Sequence, residues 1–370
     1  MNSDPRILIL TASYGNGHIQ ASQALQQQFF KQGVEQVKVV DLMKEGHPFI
    51  NMVTTSLVNK STQISRMGLD YYGWSYYLTR ETKRTALFQR SMTALGKKKL
   101  KEILHEGRPD AVVNTFPFGA SPEICSSMGI NNYTVLTDFA LHATWLHPAV
   151  DKYYVATEEL KQQIVFKGFP RDRVEVSGIP VRNEFMELPN FKKQHRKKIL
   201  VMASDQGASS YTEDLLESLI TIDNCQVIVV CGRNEKLKLK LESHFPNQPH
   251  LNILGFVNNL HEIMSAATCI ITKAGGLTLS EAIAIQLPIY IYKPYAGQER
   301  ENAKYLSSRG VASISDSIQD LTNSIIRLLE HPSLHDEVRT RMLGMQKRQA
   351  SVHIVTDIIH HINQPVSLSI

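Results

Sequence analysis

The chain has 370 residues, too many for one compact core and well suited to two domains. With 42% hydrophobic and 20% charged residues it has the make-up of an ordinary soluble globular protein, and no run of about 18 apolar residues marks a transmembrane helix. The net charge of +5 is modest, so its distribution says more than its sum, and the opening MNSDPRILIL gives no expectation of a signal peptide.

In chain order, short β-rich runs alternate with stretches of helical period. Strands are predicted at 6–11, 37–41, 111–115, 133–137, 152–156 and 174–177, and again at 198–203, 226–231, 251–254, 268–272, 288–292 and 311–314. Most are continuous apolar runs, as parallel strands covered on both faces require. The alternation therefore predicts an α/β fold of two doubly wound sheets. Residues 178–196 hold two prolines, mixed charge and no sustained period, and read as a linker. The expected domains are 1–185 and 186–331, with two helices over 332–370 packing back toward the first domain. Cys125, Cys225, Cys231 and Cys269 lack metal-ligand spacing and read as free thiols.

Between 45 and 104 only helical pattern appears. Tyr71, Tyr72, Trp74, Tyr76 and Tyr77 precede Arg80, Lys83, Arg84, Arg90, Lys97, Lys98, Lys99 and Lys101, which stand against Glu81 alone, a net of +7. Rings beside clustered cations suit a membrane interface, where aromatics sit at headgroup depth and bases meet anionic lipid. A solvated basic helix over an aromatic core patch is the alternative, and no recognition motif supports nucleic acid.

Ligands of open α/β sheets bind beyond the carboxyl ends of the strands, which selects four stretches. The first, TASYGNGHIQA at 11–21, joins strand to helix through Gly15 and Gly17 and places His18 at the lip. Its glycines allow close backbone approach, and a histidine there can act as a base near neutral pH. The stretch does not match G-x-G-x-x-G, which disfavours a dinucleotide site. The second, at 270–293, opens a helix with Gly275-Gly276, suited to a diphosphate through bare N–H groups and the helix dipole, with Glu281 placed to accept from a ribose diol. The third gathers Gln298, Glu299 and Asn302, a set fitting sugar hydroxyls or a capping arrangement. The fourth, TDFALHATWLHP at 137–148, carries Asp138, His142, Trp145 and His147, where Asp138 either acts on a hydroxyl or makes an Asx turn.

These stretches, with Asn114-Thr115-Phe116-Pro117, Val176-Ser177-Gly178-Ile179-Pro180 and Ser280-Glu281-Ala282, occur in order across nearly the whole chain. Together they resemble the branch of GT-B glycosyltransferases that holds monogalactosyldiacylglycerol synthases and bacterial processive diacylglycerol β-glucosyltransferases. The resemblance implies a GT-B fold, two Rossmann-like domains facing a cleft, and an inverting transfer of glucose from UDP-glucose to 1,2-diacylglycerol. Repeated transfer would make mono- and diglucosyldiacylglycerol, the glycolipid anchor of lipoteichoic acid.

By the same resemblance His18 is the base, with Asp138 as its rival, and Tyr14, His142 and Trp145 meet the acceptor. Gly17, Gly275, Gly276, Thr278, Glu281, Gln298, Glu299 and Asn302 take the donor. No cofactor and no active-site metal are implied, in agreement with the lack of a D-x-D motif. A soluble enzyme acting on diacylglycerol must dock on the bilayer, so the basic stretch becomes a peripheral attachment to anionic lipids at the cytoplasmic face of the cell membrane, and a cell-division protein is an implied partner. One departure is Ala203-Ser204-Asp205-Gln206-Gly207-Ala208, where the family tends to carry a glycine-rich turn with a histidine. Asp205 would repel a diphosphate. UDP-galactose as donor, a lipid II-type acceptor and a non-catalytic UDP-sugar sensor remain the alternatives.

Overall fold

The computed structural model describes residues 4–13, 16–46, 88–186, 197–203 and 211–364. They form two units: the first runs to Asn183 and resumes at Lys347, and the second spans Glu184–Gln346.

The first unit is built on a parallel sheet of order β2-β1-β3-β4-β5-β6. Its strands are β1 (Ile7–Thr11), β2 (Val37–Asp41), β3 (Ala111–Asn114), β4 (Asn131–Val135), β5 (Lys152–Val155) and β6 (Val174–Val176). The helices on it are α1 (Asn16–Lys31), α2 (Leu42–Gly46), α3 (Phe88–Gly107), α4 (Ser121–Ser127) and α5 (Glu158–Phe166). β1 shows why its apolar run is continuous. Ile7 and Ile9 pack on Leu25 and Phe29 of α1, while Leu8 and Leu10 pack on Leu100, Ile103 and Leu104 of α3.

The second unit repeats the plan with the order β12-β11-β10-β7-β8-β9. Its elements are β7 (Lys197–Met202), α6 (Thr212–Leu219), β8 (Cys225–Val230), α7 (Glu235–His244), β9 (Leu251–Leu254), α8 (Leu260–Ser265), β10 (Cys269–Ile271), α9 (Gly276–Ala284), β11 (Ile289–Tyr292), α10 (Gln298–Ser308), β12 (Ala312–Ser315), α11 (Ile318–Glu330) and α12 (Pro332–Met345). Among the described residues no helix is long and apolar enough to cross a membrane.

Two differences from the sequence reading bear on function. β4 begins two residues earlier than predicted, because the buried side chains of Asn114 and Asn132 bond to each other (Nδ2 to Oδ1, 3.2 Å) and Ala111 pairs with Asn131. Thr137 and Asp138 therefore lie in the loop beyond the strand. The two C-terminal helices also part company. α12 stays in the second unit, where Met342 is buried and Gln346 Nε2 donates to the carbonyls of Ile283 and Ala284 at the end of α9 (2.9 Å each).

The other helix, α13 (Ala350–Asn363), belongs to the first unit. Ile354, Val355 and Ile358 join the core of Ile9, Leu25 and Phe29. Asp357 accepts from the Tyr154 hydroxyl at 2.6 Å and pairs with Lys152 Nζ at 2.7 Å, and these bonds hold its carboxyl below the usual range against the opposing effect of burial. The crossing segments approach so closely that a Cβ on Gly178, at φ +88°, would stand 2.4 Å from Lys347 Cβ.

Ile358→Ala should destabilise the first unit by about 2–5 kcal/mol through lost burial and a residual cavity. Urea unfolding followed by tryptophan fluorescence measures this, and an unchanged midpoint would contradict the placement of α13 in that core.

Candidate active site

β1 hands the chain to α1, and His18 falls in the first turn of that helix. Its Nδ1 lies 2.9 Å from the carbonyl oxygen of Thr115, just past β3, and 2.9 Å from Oγ1 of Thr137, just past β4. β1, β3 and β4 are consecutive in the sheet, so their carboxyl ends converge on one imidazole. A carbonyl only accepts, so Nδ1 carries the proton and Nε2 keeps its lone pair. Burial disfavours the imidazolium and pushes His18 down to about 4, against a smaller upward pull from the Thr115 carbonyl. His18 is thus neutral at pH 7, with its acceptor nitrogen chosen by the backbone.

Ser22 secures the same corner. Its hydroxyl donates to the His18 carbonyl at 2.9 Å and meets Thr115 Oγ1 at 2.7 Å. Phe116 presents its ring at right angles to the imidazole, 5.2 Å between centroids, Trp145 stands at 6.4 Å, and Phe118 packs on Phe116 at 5.0 Å. An apolar wall therefore flanks the imidazole. Phe118 was not singled out from sequence, although two phenylalanines two apart directly after a strand are a readable sign of a side chain at a strand end.

The other predicted residues divide. Asp138 is buried immediately after Thr137 and so shares this corner of the sheet. His142 instead caps the short turn Ala143–Trp145, its Nδ1 accepting from the Thr144 backbone N–H at 3.2 Å. Gly17 sits in the first turn of α1, while Tyr14 lies outside the described residues. Of the basic set, Lys97, Lys98, Lys99 and Lys101 lie on α3, where Lys97 pairs with Glu123 at 3.1 Å and Lys99 with Glu102 at 3.5 Å. Arg90 is on the same helix, and Arg80, Lys83 and Arg84 fall outside the described residues.

Three helices are capped by the side chain that precedes them: α5 of the first unit by Thr157, and α7 and α11 of the second by Asn234 and Ser317. α9 and α10 start on Gly275 and Gly297, which have no side chain to cap them. Gly275 has open space where a Cβ would stand, and Gly297 is at φ +92°. Asn302 Nδ2 donates to the Ala274 carbonyl at 3.0 Å, which ties α10 to the loop that opens α9. Glu299 pairs with Lys273 at 3.3 Å, Glu281 is 1% exposed, and Gln298 and Thr278 are half-buried in the first turns of their helices.

One feature of this unit went unseen in the sequence. Phe256, 56% exposed, follows β9, and the guanidinium of Arg233 lies 5.3 Å above its ring. The carboxyl ends of β8 and β9 thus present a flat, cation-backed ring to solvent. The loop holding Asp205 lies outside the described residues. Among the described residues no three His, Cys, Asp or Glu side chains gather to hold a metal ion.

Residues 18–181 match the family model of monogalactosyldiacylglycerol (MGDG) synthase, and residues 196–361 match the glycosyltransferase family 28 C-terminal domain. The chain is 38% identical to the processive diacylglycerol beta-glucosyltransferase of Bacillus cytotoxicus, over 97% of this chain and 94% of that one. It is 36% identical to the protein of the same description from Bacillus subtilis, over 97% and 96%. Among solved structures, MurG of Acinetobacter baumannii superposes with a TM-score of 0.63 at 17% identity, covering 96% of this chain and all of that one. The UDP co-structure of S. aureus MnaA gives 0.68 at 13%, covering 97% of each. These two likenesses speak for the fold, which is GT-B.

The depressed His18 ties stability to pH. The unfolded chain takes up this proton near 6.5 and the folded one near 4, so the unfolded state binds more protons between those values and stability rises with pH across that window. The contribution is complete above about 6.5 and is lost as acid approaches 4. Urea midpoints measured from pH 4 to 7 should show a shallower slope for His18→Asn, which retains a donor toward Thr115 but does not titrate. Equal slopes would contradict a half-buried imidazole kept neutral by the fold.

Proposed function

The chain belongs to the family of processive diacylglycerol β-glucosyltransferases, and on that footing we propose that it moves glucose from UDP-glucose to 1,2-diacylglycerol with inversion, then extends the product by a second hexose. The observation that carries this reading is the neutral His18, held at Nδ1 by the Thr115 carbonyl and carrying its lone pair on Nε2. In the reaction Nε2 removes the proton of the acceptor hydroxyl as that oxygen attacks the anomeric carbon. The bond from that carbon to the β-phosphate oxygen breaks on the opposite face, and UDP leaves with the electron pair. The new imidazolium keeps its Nδ1–H on the Thr115 carbonyl, a bond that strengthens as charge develops.

The donor fits the second unit. The leading N–H groups of α9, after Gly275 and Gly276, suit the diphosphate, and the helix dipole offsets the charge that grows on UDP. The exposed Phe256 ring under Arg233 gives the base a stacking face, Glu281 and Thr278 stand on the helix that would carry the ribose, and Gln298 and Glu299 open the helix assigned to the hexose. Helix dipoles here supply the positive potential that a divalent cation would otherwise provide, so turnover should persist in chelator.

The acceptor reaches the enzyme from a bilayer, and the first unit carries the cations for docking on it. Lys97, Lys98, Lys99 and Lys101 contribute on the order of 1 kcal/mol each near an anionic surface, an attraction that salt screens. The protein would thus work as a peripheral enzyme at the cytoplasmic face of the membrane.

Purified protein should convert diacylglycerol in anionic vesicles to mono- and dihexosyl lipid with UDP-glucose, as read by product mass. His18→Ala should lower the rate by about 10²–10⁴-fold. A galactolipid formed only from UDP-galactose would reassign the donor. UDP binding without transfer from either donor would favour a sensor, and loss on Asp138→Asn with activity kept by His18→Ala would move the base to Asp138.

A second expectation concerns docking. Changing Lys97, Lys98, Lys99 and Lys101 together to glutamine should release the protein from anionic vesicles in co-sedimentation, and unchanged binding would overturn the docking surface.

A further inference from the structure

His18 Nδ1 has two partners where one would choose the tautomer. The Thr115 carbonyl and the Thr137 hydroxyl each lie at 2.9 Å, and they arrive from the ends of adjacent strands, β3 and β4. Since the carbonyl fixes the proton on Nδ1, Thr137 Oγ1 faces that same N–H as a second acceptor, a three-centre arrangement. Thr137 is only 3% exposed, so its hydroxyl competes with little water.

We infer that Thr137 is a positioning residue for His18: its hydroxyl and the Thr115 carbonyl grip the Nδ1 edge of the ring from two strands, and so hold Nε2 on the acceptor's proton. The inference rests on His18 acting as the base, as proposed above. The reason a second grip matters is geometric. The ring torsion of histidine is broad and roughly two-fold, so a flip would turn Cδ2 toward Thr115 and carry Nε2 out of line. One carbonyl tolerates rocking about its bond axis, whereas a second acceptor offset by one strand resists it. Phe116, edge-on at 5.2 Å, restrains the ring from a third direction without selecting a nitrogen.

The grip also favours the transition state over the ground state. As the proton arrives on Nε2, the ring becomes cationic and both Nδ1 contacts become charge-assisted. The register of β4 is what makes this available, because the strand ends at Val135 and leaves Thr137 free to turn toward α1.

Two substitutions in the full-length protein separate this from a merely structural role. Thr137→Val keeps shape and branching and removes the hydroxyl, while Thr137→Ser keeps the hydroxyl and removes the methyl. Long-range ¹H–¹⁵N spectra of imidazole-labelled protein, with His18 assigned by its loss in His18→Asn, read the tautomer and its titration without any turnover. Thr137→Val should add a second, flipped ring population to the His18 signals and lower the pH at which the ring titrates.

The same variant should lower kcat by about tenfold, as for loss of a hydrogen bond to a charged group, with both KM values within about twofold. Thr137→Ser should restore spectrum and rate together. An unchanged His18 spectrum in Thr137→Val, or a rate that falls equally in Thr137→Ser, would overturn the inference while leaving the proposed reaction standing. Should the spectra change as expected while the wild-type protein transfers no hexose, the positioning of the ring stands and the assigned reaction falls.

Discussion

The hydrogen bond between His18 Nδ1 and the Thr115 carbonyl ties the first turn of α1 to the end of β3 and, in the same contact, decides which nitrogen of the ring is basic. Much of the first unit serves that geometry. Thr115 is itself held, its backbone N–H donating to Leu10 at 3.0 Å and its hydroxyl meeting Ser22, so the carbonyl cannot turn away from the ring. The parallel order β1-β3-β4 then brings Thr115 and Thr137 to the same place from 97 and 119 residues away in the chain. Burial completes the design by keeping the imidazole uncharged, at the cost of basicity. No buried carboxylate is needed at Nδ1, where the partners are a carbonyl and a hydroxyl.

The second unit answers with the complementary electrostatics. Its sheet repeats the alternation of the first, and the loops after β10 and β11 open α9 and α10 through glycine N-caps at the carboxyl end of the sheet. Asn302, fully buried on α10, ties that helix to the loop that opens α9. On the proposed reading, these two helix starts would meet the diphosphate of the departing nucleotide.

Local signals exposed much of this in the sequence, and distance hid the rest. The strands were legible because parallel strands buried on both faces are apolar throughout, as in β1. β4 was misplaced because its first residues, Asn131 and Asn132, are polar; Asn132 is buried by bonds to Asn114, Ser121 and Asp151, which no local pattern announces. His18 and the Gly275-Gly276 turn were readable because glycine at a strand–helix junction has few other uses.

The partners of His18 were not readable, since Thr137 acquires its role only when β4 lies beside β3. The cap that His142 Nδ1 makes on the turn Ala143–Trp145 was likewise not readable. At the C-terminus, α12 buries Met342 alone while α13 turns Ile354, Val355 and Ile358 into the first core, a difference in apolar spacing that separates two helices otherwise alike in length.

The most direct test of a base defined by its tautomer is chemical rescue. Removing the ring in His18→Gly leaves a site flanked by Phe116 and Trp145 into which free imidazole can enter. Added imidazole should restore glycolipid formation in proportion to its neutral form, and substituted imidazoles should rescue according to their basicity. A variant that still binds UDP and anionic vesicles but gains nothing from any imidazole would contradict His18 as the group that takes the acceptor's proton.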